Sequence, residues 1–139
     1  MPKFALIECE HVSVRPEDRQ VFELEENGES QFSNFVDEMM ANPKTESMIA
    51  SALAILERSC VIGKSLPKTQ FNTIKDSRVD CNIYEVKKKS KLKTIRIYMF
   101  QEKNKGRVVV MGGYKTKQQK DINTVVSKIK QFQDEKNQR

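Results

Sequence analysis

Apolar and polar positions alternate with two different periods along the chain. In the first 26 residues the spacing is close to two. Phe4, Leu6, Val12, Val14, Phe22 and Leu24 predict strands over 4–14 and 20–26, joined by the polar turn Arg15-Pro16-Glu17-Asp18. Asn27-Gly28 breaks the chain, and Ser30 is placed to cap a short helix carrying Phe32, Phe35, Val36 and Met39. Asn42-Pro43 ends that helix, because the residue before proline is pushed out of the helical region. A second helix is predicted over 44–58, with Met48, Ile49, Ala52, Leu53 and Leu56 on one face. The two helices, joined by a proline turn, read as an αα-hairpin.

Beyond Gly63 the period returns to two. Phe71 to Lys75, Cys81 to Lys87, Lys93 to Phe100 and Arg107 to Met111 predict four strands with short polar connections, as antiparallel hairpins require. Gly112-Gly113 is expected to end the last strand, and Ile122, Val125, Val126, Ile129 and Phe132 then mark a closing helix. The predicted class is α+β: an αα-hairpin packed on an antiparallel meander, with a C-terminal helix. One sheet face is expected to lie under helices and the other to be partly exposed.

The length of 139 residues fits one domain, read as residues 1–133 followed by a polar tail over 134–139. With 37% apolar and 32% charged residues the chain is polar but has enough aliphatic and aromatic side chains for a modest core. The longest uninterrupted apolar run is Val108-Val109-Val110-Met111, far short of the roughly 20 residues of a membrane span. The first residues reach Glu8 too soon for a signal-peptide core, so the expected location is the cytoplasm, away from membranes. Cys9, Cys60 and Cys81 are three widely spaced cysteines that read as reduced thiols. His11 is the only histidine, which excludes a multi-histidine metal centre and leaves any Cys–His nucleophile dependent on that one residue. Neither metal nor cofactor is expected, and no GxSxG is present.

Charge changes the picture most. Residues 1–58 hold five Lys/Arg against twelve Asp/Glu, a net of −7, while residues 59–139 hold twenty against seven, a net of +13. A division this sharp points to a polyanionic partner, most often nucleic acid. The positive charge is threaded through strand-like segments, so it is built onto a folded surface. On the strand from Lys93 to Phe100, Arg96, Tyr98 and Phe100 share one face, with Tyr84 and Lys87 on the preceding strand. An arginine flanked by rings suits a nucleotide, with charge for phosphate and aromatics for stacking. The alternative is that Arg96 pairs with Glu85 and the tyrosines cover the core; composition alone does not choose between them.

Several motifs in order carry a resemblance. Leu66-Pro67-Lys68 is followed by Tyr84-Glu85-Val86-Lys87, then Ile95-Arg96-Ile97-Tyr98-Met99-Phe100, then Gly113-Tyr114-Lys115-Thr116-Lys117-Gln118-Gln119-Lys120. With the Gly28-Glu29-Ser30 turn ahead of the helices, residues 20–133 resemble the RelE/HigB superfamily of bacterial toxins, in particular its phage-derived HigB-like branch. The resemblance implies a RelE-like fold and a ribosome-dependent endoribonuclease that cuts mRNA in the ribosomal A site. It would be restrained by a cognate antitoxin, an acidic or helix-turn-helix protein. Cleavage by attack of the 2′-OH needs a proton acceptor, stabilisation of the phosphorane-like charge and a proton for the leaving oxygen. Enzymes of this kind without a histidine pair rely on clustered Lys, Arg and Tyr, and a lysine crowded by cations is a base nearer neutral pH.

Carried over residue by residue, Arg96 neutralises the scissile phosphate. Lys87, where the branch typically has arginine, shares the phosphate or polarises the 2′-OH. Tyr114 stacks on a base, and Lys117 completes the catalytic set. Lys64, Lys68, Tyr84, Lys115 and Lys120 are implied RNA contacts. The branch often has histidine immediately before the Gly-aromatic pair, where this chain has Gly112. A catalytically inactive RNA- or ribosome-binding module of the same fold is the second reading of the chain. A structural protein with merely solubilising lysines is the third.

Overall fold

The computed structural model describes residues 3–91, 93–103, 105–114 and 117–138. The elements in chain order are β1 (Phe4–Glu8), β2 (Val21–Glu26), α1 (Gln31–Ala41), α2 (Glu46–Ser59), β3 (Phe71–Ile74), β4 (Ile83–Lys89), β5 (Thr94–Glu102), β6 (Gly106–Tyr114) and α3 (Gln118–Asn137). The six strands form one sheet in the order β1-β2-β6-β5-β4-β3. From β3 to β6 it is the expected antiparallel meander. Between β2 and β6 the pairing is parallel, so the sheet is mixed. The αα-hairpin is the crossover that brings the chain from β2 back to the meander.

Local chemistry accounts for the ends of these elements. Asn27 at φ 54° and Gly28 at φ 85° form the left-handed pair that a tight turn needs. Ser30 Oγ accepts the Ser33 N–H at 3.0 Å and caps α1. The same hydroxyl donates to the buried carboxylate of Glu23 at 2.6 Å, and the Ser33 hydroxyl donates to that carboxylate at 2.5 Å. β2 is thereby tied to the first turn of α1. Asn42 is extended at ψ 117°, as its proline neighbour requires.

Two cores sit on opposite faces of the sheet. One joins Phe32, Phe35, Val36 and Met39 of α1 and Ile49, Leu53 and Leu56 of α2 to Val86, Ile95, Ile97, Met99 and Val109. The other joins Ile122, Val125, Val126, Ile129 and Phe132 of α3 to Leu24, Ile83, Tyr98, Phe100, Val108 and Val110. The second face is therefore not left partly exposed. The apolar stripe of α3 has to be buried, and this face of the meander is the apolar surface available to it.

Three boundaries also move. β1 ends at Glu8, and residues 9–20 run as turns that tuck Val12 and Val14 against α1 and α2. Residues 134–137 are the last turn of α3, where Glu135 accepts the Phe4 N–H at 2.7 Å and Lys136 pairs with Glu102 at 2.8 Å. Finally, Gly112-Gly113 lies inside β6, which continues to Tyr114. Gly112 is there for packing. A Cβ would stand 2.6 Å from Cε2 of Phe35 and closer still to Cδ2, and the Gln31 carboxamide holds the Gly112 N–H and C=O at 2.9 and 3.1 Å.

Candidate nucleic-acid interface

Register brings several cations of the second half to one end of the sheet. Lys87 stands opposite Arg96, and Arg96 stands opposite Gly113, so three strands meet there in line. Directly opposed residues have Cβ atoms about 5 Å apart, which sets the Lys87 and Arg96 side chains beside one another. Lys88 and Lys89 finish β4, and a turn closed by the Ser90 N–H donating to Lys93 C=O at 2.8 Å carries Lys91. The Lys87 N–H donates to Gln70 C=O at 2.8 Å, which seats the turn bearing Lys68 alongside. Lys117 is the N-cap of α3 and Lys120 lies in its first turn. Among the described residues, Lys87, Lys88, Lys89, Lys91, Lys117 and Lys120 take part in no ion pair.

Beneath this rim lies a buried polar cluster. The Glu85 carboxylate is 1% exposed, accepts the Gln118 Nε2–H at 2.8 Å and lies 3.6 Å from Arg96 Nε. The Gln118 contact holds the start of α3 over the strand ends. Arg96 is 20% exposed, and its buried Nε has no hydrogen-bond partner in addition to that ion pair. Tyr98 is fully buried, with its hydroxyl likewise lacking a hydrogen bond. Burial raises the Tyr98 pKa, and the nearby negative charges of Glu85 and Asp121 raise it further, so the phenol stays neutral. Arg96 therefore does pair with Glu85, and Tyr98 and Phe100 are core residues under α3. Of the two readings left open by the sequence, the structure shows the second: Arg96 paired with Glu85 and the ring of Tyr98 in the core.

The other sequence-derived site residues divide between places. Tyr84 and Tyr114 point to the α1–α2 face, opposite Arg96, as strand alternation requires. The Tyr84 ring stacks on Phe71 at 5.5 Å, and Tyr114 packs against the α1–α2 core with Lys93 Nζ 5.7 Å from its ring centre. Lys64 belongs to the turn after α2, which is anchored to Asp18 and Arg19 beside the start of β6, at the far end of the sheet. Lys115 lies outside the described residues.

Two groups escaped the sequence reading. Arg107 is 5% exposed. It donates to Ser59 C=O at 2.8 Å, capping the C-terminal turn of α2, and its guanidinium carbon lies 4.6 Å and 5.1 Å from the Tyr84 and Phe71 rings. Burial lowers its pKa. The signal was present in the strand pattern, since Arg107 shares parity with buried Val109. The second group surrounds Glu23, where His11 Nε2 lies 2.9 Å from Ser33 Oγ and 3.7 Å from the carboxylate. Cys9 lies close by, and burial pushes its thiol up to about 12. This set is on the α1–α2 face beside β2, away from Arg96. No group of three or more His, Cys, Asp or Glu among the described residues is arranged to hold a metal. No helix among the described residues is long and apolar enough to cross a membrane.

Comparisons with protein-family models, curated proteins and solved structures gave no match.

Proposed function

We propose that the chain binds RNA phosphate at the β4–β5–α3 end of its sheet and acts as a ribosome-dependent mRNA endoribonuclease. It would be the toxin of a type II toxin–antitoxin pair with a RelE-like fold, working in the cytoplasm. The observation that carries this reading is the opposed Lys87–Arg96 pair, with the start of α3 that bears Lys117 and Lys120 tied to it through Gln118 and Glu85. These are residues that the resemblance assigns to the RNA backbone, and they belong to three separate elements, β4, β5 and α3. A strand followed by an αα-hairpin, a meander and a closing helix is also the element order that the resemblance implies.

In this reading the 2′-OH attacks the adjacent phosphorus and loses its proton, while the P–O5′ bond breaks and the 5′ oxygen gains a proton. The products are a 2′,3′-cyclic phosphate and a 5′-hydroxyl. Arg96 and Lys87 stabilise charge on the non-bridging oxygens. Lys117, at the rim, is within the same cluster to serve the departing oxygen. Tyr114 has no part in it, because it lies on the opposite face. Residue 112 faces α1, so a histidine side chain there would not reach Arg96, and Gly112 removes nothing from this cluster. The cognate antitoxin would cover the same basic end, through acidic side chains or by blocking ribosome entry.

One observation favours a second reading, a binding module without chemistry: Arg96 is mostly buried and held by Glu85. Cleavage of a defined mRNA on programmed ribosomes, mapped by primer extension, separates the two. A discrete A-site cut from wild type, lost in Arg96→Ala and absent on free RNA, supports the enzyme. Salt-sensitive ribosome binding without a cut supports the module. Absence of both overturns the proposal.

A further inference from the structure

The parallel ladder between β2 and β6 is short. It runs from Val21–Arg107 to Glu23–Val109 and stops where β6 carries a bulge against β5, with Val110 unpaired between Val109–Met99 and Met111–Tyr98; beyond it Leu24–Glu26 of β2 pair with β1 and not with β6. The Gln31 carboxamide occupies the ladder position that β2 vacates at Gly112. Between the diverging strands opens a cleft of about 420 Å³ that lies against both α1 and α3. Its size is that of a small-ligand site, and it opens beyond the carboxyl ends of the two parallel strands.

We infer that this cleft takes a single nucleobase bearing an exocyclic amine, an inference that rests on the RNA-binding reading above. Leu24, Val110 and Met111 give it an apolar wall against which a ring can lie. Its rim carries two carboxylates. Glu26 is paired with Lys128, whereas the exposed Glu29 side chain has no partner among the described residues. A free carboxylate accepts from an amino group, as it does from the N4 amine of cytosine, and it repels phosphate. The base therefore enters and the phosphate stays outside. A path for the backbone exists. Lys120, Thr124 and Lys128 follow at four-residue spacing along α3, a stripe of about 12 Å that leads from the basic end to the cleft. RNA held at Arg96 and Lys120 would place a neighbouring base at the cleft.

The test uses the full chain with 13C-methyl methionine, the Met111 signal being assigned by Met111→Leu, titrated separately with 5′-AMP, 5′-GMP, 5′-CMP and 5′-UMP. The first three should move the Met111 methyl, with 5′-UMP at least about fivefold weaker, the value of one hydrogen bond. Glu29→Gln, an exposed change whose amide both donates and accepts, should erase that preference. A Met111 methyl unmoved by every nucleotide, or moved equally by 5′-UMP, overturns the inference. Filter binding of a longer RNA to wild type and Arg96→Ala reports separately on the basic end. Mononucleotides in the cleft without RNA binding would sink the RNA reading alone, and RNA binding with a silent Met111 would sink only the cleft.

Discussion

Gly112→Ala is the sharpest test of how α1 sits on the sheet. The new methyl would lie 2.6 Å from Phe35 Cε2 and 3.0 Å from Cγ, where carbon atoms prefer 3.5–4.0 Å. Relief requires the ring to retreat by about 1 Å. Phe35 is buried among α1 and the sheet, so that movement displaces its neighbours or the helix itself. If α1 moves, the two Gln31 hydrogen bonds to Gly112 go with it. Overpacking of this kind costs about 1–3 kcal/mol, and each strained hydrogen bond adds up to about 1 kcal/mol. We expect a loss of about 3 kcal/mol in urea unfolding followed by far-ultraviolet circular dichroism, with the slope against urea unchanged. Phe35→Ala alone should cost about 3–5 kcal/mol through its cavity. On that background Gly112→Ala should cost almost nothing, because the obstructing ring is gone, giving a coupling of about 2–3 kcal/mol. Additivity within about 0.5 kcal/mol would refute the reasoning, as would a Gly112→Ala protein as stable as wild type. Gly112→His should be less stable still.

Three further outcomes follow from the packing and the charges. Arg107→Ala should cost about 3 kcal/mol in thermal unfolding, since it uncaps α2 and empties the space against Tyr84 and Phe71; Arg107→Lys should recover less than half, lacking the planar fork. In native protein at pH 8 only the half-buried Cys81 should react with iodoacetamide, as followed by mass spectrometry. Cys9 is buried and has its pKa near 12, which leaves roughly one thiolate in ten thousand, and buried Cys60 is also raised; modification of either before unfolding contradicts the burial. Arg78 holds the Asp76 carboxylate at about 2, below its usual 3.8, so its contribution to stability is complete above pH 4 and is lost as pH falls through 2. The midpoints of wild type and Asp76→Asn should therefore converge in acid, and a gap that persists at pH 1.5 would argue against the pairing.

What the sequence made legible follows from how local each signal is. The αα-hairpin, the four strands of the meander and the closing helix were readable because period, a serine cap and a proline turn are written in neighbouring residues. The parallel β2–β6 pairing was not, because nothing local distinguishes two parallel neighbours from two strands in different sheets. Gly112-Gly113 misled for a related reason. Glycine marks both turns and close approaches, and only the Phe35 ring, 77 positions earlier, decides between them. Asn27-Gly28, by contrast, marked a turn correctly because its left-handed φ angles are a local demand.

The same distinction explains the fate of the site residues. Lys87 and Arg96 were readable as neighbouring-strand cations, and register sets them side by side, whereas Tyr84, Tyr114 and Lys64 lie elsewhere. Alternation put Tyr98 and Phe100 on the face of Arg96, but whether a face is open depends on what packs against it. The stripe from Ile122 to Phe132 had to be buried somewhere, and the sheet had one uncovered side. Once α3 lies there, the aromatics become core and Glu85 becomes a buried partner for Arg96. Solvent then reaches Arg96 and its neighbours from the strand ends rather than across an open sheet face. On the proposed reading, rings stacked across the sheet are therefore replaced by phosphate contacts at the strand ends, because α3 covers the face on which Tyr98 and Phe100 lie.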